Sequence, residues 1–227
     1  GCGARRPGPD LSNLPSRLSL GDRDVTVQMR LHRPSLCLLG DFASQEECEA
    51  IIRTATPRLH RSKVLFATGT TGSDEAAVQA YARTSEQAAI PAGLCPKADA
   101  IRDRVGRLTG WRTDWMETLQ VARYRPGADF APHHDYFCPT AHRSLIEREG
   151  QRVATVLLYL STPAEGGATA FPDVEAEIFP QTGNALVFAY PDTTPDSRTL
   201  HAGVPLGNGE KWIATLFLRD RAVASTP

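Results

Sequence analysis

Three residues of the chain have the types and the spacing of a metal site. His133 and Asp135 lie two residues apart in the segment PHHDYF, and His201 follows in the segment TLHAG. On a β-strand, residues two apart point to the same face, with backbones about 6–7 Å apart. Two histidines and one carboxylate leave three positions of an octahedral metal free, as in non-haem Fe(II) sites that bind a 2-oxo acid and O₂. The spacing therefore predicts a metal site with His133, Asp135 and His201 as ligands.

Other histidines and another metal compete with this interpretation. His134 points to the opposite strand face, and His32, His60 and His142 lie in polar surroundings typical of surface residues. An HxD segment is common by chance, and a zinc hydrolase can also use two histidines and an aspartate. The order of features favours Fe(II): HxD, an apolar strand, the segment GGATAFP, a histidine and then a lysine.

That lysine, Lys211, follows His201 by ten residues and begins a predicted strand. Alternation along this strand places Lys211, Ile213, Thr215 and Phe217 on one face. An inward-facing lysine is costly unless it is paired, and the far carboxylate of a metal-chelated dicarboxylate would pair it. The alternative is an ordinary lysine whose amine reaches solvent. With 3 lysines against 22 arginines, the chain uses lysine sparingly, which favours a specific role.

Helices and strands that could position these side chains are indicated by the sequence pattern. A capping box at 44–47 predicts a helix over about 44–55, and an apolar face predicts a second helix from about Pro96 to Gly110. Residues 66–80 read as a mobile loop. Short apolar strands separated by Pro and Gly turns favour a jelly roll; they are expected at 36–39, 118–125, 153–160, 185–190 and 212–218.

Composition excludes several classes of protein. The 227 residues suit one domain, predicted over 25–227 after an extended arm at 1–24, with a catalytic jelly roll at about 117–220. A net charge of −1 gives no field for nucleic acid. No apolar run approaches the roughly 18 residues of a membrane span, and no signal peptide is recognised. Five scattered cysteines indicate neither disulfides nor a zinc knuckle, so we expect a cytoplasmic protein.

Residues 117–220 resemble the prolyl 4-hydroxylase family of Fe(II)/2-oxoglutarate dioxygenases. The likeness is carried by LQVARYRPGADFAPHHDYF, QRVATVLLYLSTPAEGGATAFPD, GNALVFAY and TLHAGVPLGNGEKWIATLFLRD. It implies a mainly β double-stranded β-helix, or jelly roll, buttressed by N-terminal helices. It also implies Fe(II) with 2-oxoglutarate and O₂ as co-substrates, and support of turnover by ascorbate is expected. The implied roles are iron ligands at His133, Asp135 and His201, and 2-oxoglutarate binding at Lys211, Tyr124 and Thr169.

Substrate residues follow the family pattern less closely. Arg152 in GQRVAT and Arg83 in YARTSE match positions near the substrate, whereas Phe130 and Phe217 stand where the family often has Tyr and Trp. The resemblance implies hydroxylation of a prolyl residue in a peptide or protein, with succinate and CO₂ as co-products. A hydroxylase of a free amino acid or small molecule, and a non-catalytic metal-binding sensor, are the alternatives. The oligomeric state stays open.

Overall fold

The structure, a computed structural model, describes residues 8–61 and 85–223, and between them only the backbone of two short strands at 66–67 and 78–79. No helix among the described residues has the length and apolar character needed to cross a membrane.

Strands predominate over helices in the described residues. The helices are α1 (Gln45–Ala55), α2 (Pro96–Thr109) and α3 (Arg143–Glu149). The strands are β1 (Arg17–Ser19), β2 (Asp24–Leu31), β3 (Ser35–Gly40), β4 (His60–Arg61), β5 (Phe66–Ala67), β6 (Val78–Gln79), β7 (Glu86–Ile90), β8 (Leu119–Tyr124), β9 (Phe130–His133), β10 (Arg152–Tyr159), β11 (Glu165–Gly166), β12 (Thr169–Phe171), β13 (Ala176–Ile178), β14 (Ala185–Ala189), β15 (His201–Gly203), β16 (Leu206–Asn208) and β17 (Lys211–Arg219).

Two antiparallel sheets enclose one part of the core. The large sheet has the order β1-β2-β3-β14-β10-β17-β8-β7-β4, and the small sheet has the order β13-β12-β15-β9. Side chains of both sheets meet in one buried cluster, where Tyr159 and Phe188 of the large sheet join Phe171 and Ile178 of the small sheet. Within each sheet, many adjacent strands are not consecutive along the chain. Two facing sheets with this connectivity match the predicted jelly roll.

The outer face of the large sheet is covered by α1 and α2. Ile51 of α1 and Ile101 and Val105 of α2 are buried against that face. The alternation predicted for β17 explains its two environments: Trp212 packs with the helices, whereas Ile213 packs between the sheets. The helices thus support the sheet without entering the space between the sheets.

Both predicted helices form with the end signals expected. Ser44 caps α1: its hydroxyl accepts a hydrogen bond from the backbone of Glu47, and the Glu47 carboxylate accepts one from the backbone of Ser44. α2 begins at Pro96 and ends before Gly110, which adopts the left-handed conformation at φ 69°. The capping prediction is confirmed because the caps depend on local sequence alone.

Two parts of the chain differ from the sequence expectation, and a third lies mostly outside the described residues. Residues 8–24 are not a separate arm: β1 pairs with β2, and Leu11 and Leu20 are buried in the core. α3 was not predicted, because its seven residues are too few for a clear apolar period. The predicted loop at 66–80 lies outside the described residues except for the backbone of β5 and β6.

Candidate metal and co-substrate site

His133, Asp135 and His201 converge between the two sheets. Each offers one ligand atom, and these atoms lie within 4.8 Å of one another. Asp135 Oδ1 is 3.4 Å from His133 Nε2, and Asp135 Oδ2 is 3.4 Å from His201 Nε2. The Asp135 and His201 side chains are each 7% exposed and that of His133 is 11% exposed. Two nitrogens and one carboxylate therefore face a common point in a nearly closed space.

The small sheet brings the two histidines together although they are 68 positions apart. His133 is the last residue of β9, and His201, the first residue of β15, is its direct partner in the antiparallel register. Asp135 lies two residues beyond the end of β9 rather than on it. The same-strand geometry expected for His133 and Asp135 is therefore wrong, yet the turn still directs both side chains inward. His134 is outside the cluster and stacks on Tyr136 at 4.7 Å between ring centroids.

Hydrogen bonds at the opposite ring nitrogens orient both imidazoles. His133 Nδ1 is 2.9 Å from the carbonyl of Ala131, and His201 Nδ1 is 2.9 Å from the carbonyl of Thr199. A carbonyl can only accept, so each Nδ1 carries a proton, and in the neutral imidazole Nε2 keeps the lone pair that can bind a metal. Metal-binding histidines are usually fixed in this way. The donor set therefore fits a divalent metal such as Fe(II).

Asp135 is held in its ionised form. Burial opposes ionisation, but attraction to a positively charged His201 and a hydrogen bond from a protonated His133 Nε2 lower the pKa of Asp135 below its ordinary value. A bound metal would replace both protons and attract the carboxylate in the same way. Its Oδ2 also lies 2.8 Å from the hydroxyl of Thr155. An anionic oxygen ligand is consequently present beside the two imidazole nitrogens.

Lys211 is 4% exposed and lines the same pocket as the three candidate ligands. It lies directly opposite Tyr124 in the pairing of β17 with β8, and its Nζ is 5.3 Å from the centroid of the Tyr124 ring. Thr169 also lines the pocket, and its hydroxyl is 2.8 Å from the hydroxyl of Tyr159. One cavity is thus lined by a metal-ligand set, by the buried amine of Lys211 from another strand, and by the hydroxyl-bearing residues Tyr124 and Thr169.

Gly167 leaves room for the Lys211 side chain. A Cβ atom at Gly167 would lie 3.1 Å from Lys211 Cδ and 3.2 Å from Leu206 Cδ1, and the backbone has φ +73°. A residue with a side chain at position 167 would be crowded by Lys211 and would rarely adopt this backbone conformation. The double glycine of the GGAT segment therefore helps to define the position of the amine.

The residues predicted to contact substrate divide into three groups. Phe130 and Phe217 line the pocket, and the Phe130 ring centroid is 3.8 Å from that of His133. Arg152 binds both oxygens of Glu117, donates to the carbonyl of Asp135 at 3.2 Å and lies 3.6 Å from the Phe217 ring centroid. Arg83 lies outside the described residues. A contact of Arg152 with substrate stays a prediction. In the structure, Arg152 connects the Glu117 carboxylate to the backbone of Asp135.

Sequence reasoning missed Thr155, Tyr190 and Glu117, which surround Asp135 and Arg152. Thr155 and Tyr190 are each 1% exposed, and Glu117 is bonded to both Arg152 and Arg219. Thr155 could have been noticed as the polar residue within the apolar run VATVLLY of β10. Glu117 has no comparable local signal.

Comparisons with known proteins show the family to which this chain belongs. Residues 119–219 match the profile of the 2OG-Fe(II) oxygenase superfamily. Prolyl 4-hydroxylase 1 of Arabidopsis thaliana is 34% identical over 208 residues, which are 84% of this chain and 71% of that protein. This chain belongs to the prolyl 4-hydroxylase family. Prolyl 4-hydroxylase subunit alpha-1 of Gallus gallus is 34% identical over 83% of this chain, which spans 36% of that subunit.

A solved member of the prolyl 4-hydroxylase family has the same architecture. The viral collagen prolyl hydroxylase of Paramecium Bursaria Chlorella virus-1, determined as its 2OG complex, aligns with a TM-score of 0.60 at 28% identity. The alignment covers 81% of this chain and 94% of the viral one. The predicted jelly roll with flanking helices and the predicted family are confirmed, and the protein is a 2-oxoglutarate-dependent dioxygenase that uses Fe(II).

Proposed function

We propose that this protein hydroxylates a prolyl residue within a peptide or protein, using Fe(II), 2-oxoglutarate and O₂ and releasing succinate and CO₂. The observation that carries the proposal is the shared pocket: the His133, Asp135 and His201 cluster and the buried amine of Lys211 line one cavity. A metal-ligand set without the amine would fit many metalloproteins. The amine adds a site for the far carboxylate of a dicarboxylate.

The metal would be held by His133 Nε2, His201 Nε2 and the carboxylate of Asp135. Fe(II) bound by these three residues would have open coordination positions and would catalyse the oxidation of 2-oxoglutarate by O₂. Asp135 contributes a negative charge, and the carbonyls of Ala131 and Thr199 keep the two histidines in the binding tautomer. These residues set the orientation of the site before any ligand arrives.

Lys211 would bind the far carboxylate of 2-oxoglutarate through a charge-assisted hydrogen bond. Tyr124 and Thr169 would donate further hydrogen bonds, because a carboxylate offers about four acceptor positions. Lys211 is only 4% exposed, so the ion pair would be stronger here than in water. This arrangement favours a five-carbon dicarboxylate over a monocarboxylic 2-oxo acid, which would leave the Lys211 charge buried and unsatisfied.

The substrate would enter beside the two phenylalanines. Phe130 and Phe217 give the pocket an aromatic wall suited to a pyrrolidine ring. That Arg152 and Arg83 contact the peptide stays a prediction of the sequence. We expect an extended, proline-rich segment as substrate, because such a segment loses little entropy on binding. A cytoplasmic location and support of turnover by ascorbate are further predictions of the sequence.

The test is a peptide-array hydroxylation assay with Fe(II) and 2-oxoglutarate. We expect succinate release that depends on both, together with the mass gain of one oxygen atom on a proline-containing peptide. His133→Ala should abolish both signals, whereas His60→Ala, at an exposed position outside the pocket, should leave both unchanged. Hydroxylation of free proline in place of any peptide would favour the small-molecule alternative. No succinate under any condition would contradict the proposal.

A further inference from the structure

We propose that Thr155, oriented by Tyr190, is a positioning residue for the carboxylate of Asp135. The inference rests on the proposed function, since it takes Asp135 to be a metal ligand. It adds to that function a pair of hydroxyl groups that belong to neither the ligand set nor the 2-oxoglutarate contacts.

The first contact joins Thr155 to Asp135. Thr155 Oγ1 is 2.8 Å from Asp135 Oδ2, and the two residues are 1% and 8% exposed. An ionised carboxylate can only accept hydrogen bonds, so the Thr155 hydroxyl must be the donor. This bond occupies one lone-pair direction of Oδ2.

The second contact joins Tyr190 to Thr155. The phenol oxygen of Tyr190 is 3.1 Å from Thr155 Oγ1, and Tyr190 is 1% exposed. Because the Thr155 proton is directed to Asp135, the Thr155 oxygen accepts and the Tyr190 hydroxyl donates. The two bonds run in one direction and end on the carboxylate, so each polarises the next.

The large sheet anchors both hydroxyl-bearing residues. Thr155 lies in β10, paired with Phe188 of β14 and with Phe217 of β17, and the backbone N–H of Tyr190 donates to Val153 at 3.1 Å. Asp135 lies beyond the end of β9, where no strand pairing fixes it. The rotation of an aspartate carboxyl group is intrinsically soft. The hydroxyl groups of Thr155 and Tyr190, which the large sheet holds in place, therefore fix the orientation of the Asp135 carboxylate. Strand pairing in the small sheet does not fix it.

The experiment titrates metal-free protein with Co(II), whose visible absorption reports ligand geometry. Thr155→Val keeps the side-chain shape and removes the donor. It should weaken Co(II) binding by about 10–100-fold, the usual effect of removing a group that orients a ligand, and should change the absorption bands. Thr155→Ser restores the hydroxyl and should return both affinity and spectrum towards wild type.

Tyr190→Phe tests the relay independently and serves if Thr155→Val fails to fold. It should lower Co(II) affinity, and in the Thr155→Val background it should add almost nothing, because Tyr190 acts through Thr155. Tyr159→Phe is the matched control: it removes an equally buried phenol from the same cluster, but that phenol contacts Thr169. It should leave Co(II) binding unchanged. Urea unfolding midpoints separate these effects from general loss of stability.

Folded Thr155→Val protein with wild-type Co(II) affinity and spectrum would overturn the inference and leave the proposed function intact. Failure of Thr155→Ser to recover either property would also overturn it, since the hydroxyl would then not be the responsible group. A wild-type protein that binds no Co(II) would overturn the inference and the metal site of the proposed function together.

Discussion

At the scale of the residue, the proposed role of Lys211 is to bind the far carboxylate of 2-oxoglutarate. Lys211→Ala should raise the KM for 2-oxoglutarate by on the order of 100-fold or more, because it leaves a buried carboxylate without its charge partner. Succinate release measured against 2-oxoglutarate concentration gives this value. Lys97→Ala is the matched control, since Lys97 is 43% exposed and pairs with Glu46 on the surface. Normal use of 2-oxoglutarate by Lys211→Ala protein would refute the assignment.

A substitution at Gly167 tests whether 2-oxoglutarate binding depends on the position of the Lys211 amine as well as on its charge. Gly167→Ala should raise the KM for 2-oxoglutarate, because the new Cβ would press on Lys211 Cδ. It should also cost roughly 1–2 kcal/mol of stability, since the backbone is left-handed. Gly93→Ala provides the control: its φ is +84°, and nothing lies within 4 Å of the added Cβ. Both variants should lose stability in urea unfolding, and only Gly167→Ala should change the KM.

Glu117 joins three strands at the scale of the elements. It precedes β8, binds both Arg152 of β10 and Arg219 of β17, and its backbone N–H donates to Phe217. Burial opposes its ionisation, but attraction to Arg152 and Arg219 holds the pKa of Glu117 below its ordinary value. The carboxylate therefore supports the end of the large sheet nearest Asp135.

Glu117→Gln should lower the free energy of unfolding by about 3–5 kcal/mol, because it leaves the partly buried Arg152 without its carboxylate partner and leaves Arg219 only the Glu149 carboxylate at 3.8 Å. Asp114→Asn is the comparison: it breaks an exposed pair with Arg112 and should cost about 0–1 kcal/mol. Urea unfolding monitored by tryptophan fluorescence measures both. Equal losses in the two variants would show that the Glu117 cluster has no special weight.

One buried arginine links distant parts of the whole molecule. Arg104 of α2 is 2% exposed and binds Asp22 of the N-terminal segment, Glu47 of α1 and the carbonyl of Phe42. Hydrogen bonds from Arg104 and, to a smaller extent, from Arg107 lower the pKa of Asp22 from 3.8 to about 2. The pKa of Glu47 is also lowered, since burial is outweighed by Arg104 and by the backbone of Ser44. Folding therefore favours the ionised carboxylates.

Acid should weaken the protein through this cluster. A carboxylate whose pKa is depressed by folding stabilises the fold above its unfolded pKa and loses that contribution as pH falls through its folded pKa. The Asp22 contribution should thus be complete above about pH 4 and decline towards the folded pKa of about 2. Urea midpoints measured from pH 6 to pH 2.5 should fall less steeply for Asp22→Asn than for wild type. Parallel curves would contradict this.

Local sequence predicted the features that depend on neighbouring residues. The capping box of α1, the glycine that ends α2 and the alternation along β17 were all read correctly, because each follows from backbone geometry over a few positions. The candidate ligands and Lys211 were found because the chemistry needs particular residue types. In the folded protein, the candidate ligands and Lys211 line one pocket.

Contacts between distant positions were decided only by the tertiary structure. Thr155 and Asp135 are 20 positions apart, Glu117 and Arg219 are 102 apart, and no local pattern relates either pair. In the structure Asp135 lies beyond β9, and Leu11 and Leu20 of the N-terminal segment are buried in the core, contrary to the sequence expectation. Sequence thus determined which groups could perform the chemistry. Sheet pairing and burial decided which groups hold them, because those contacts exist only once both sheets have closed.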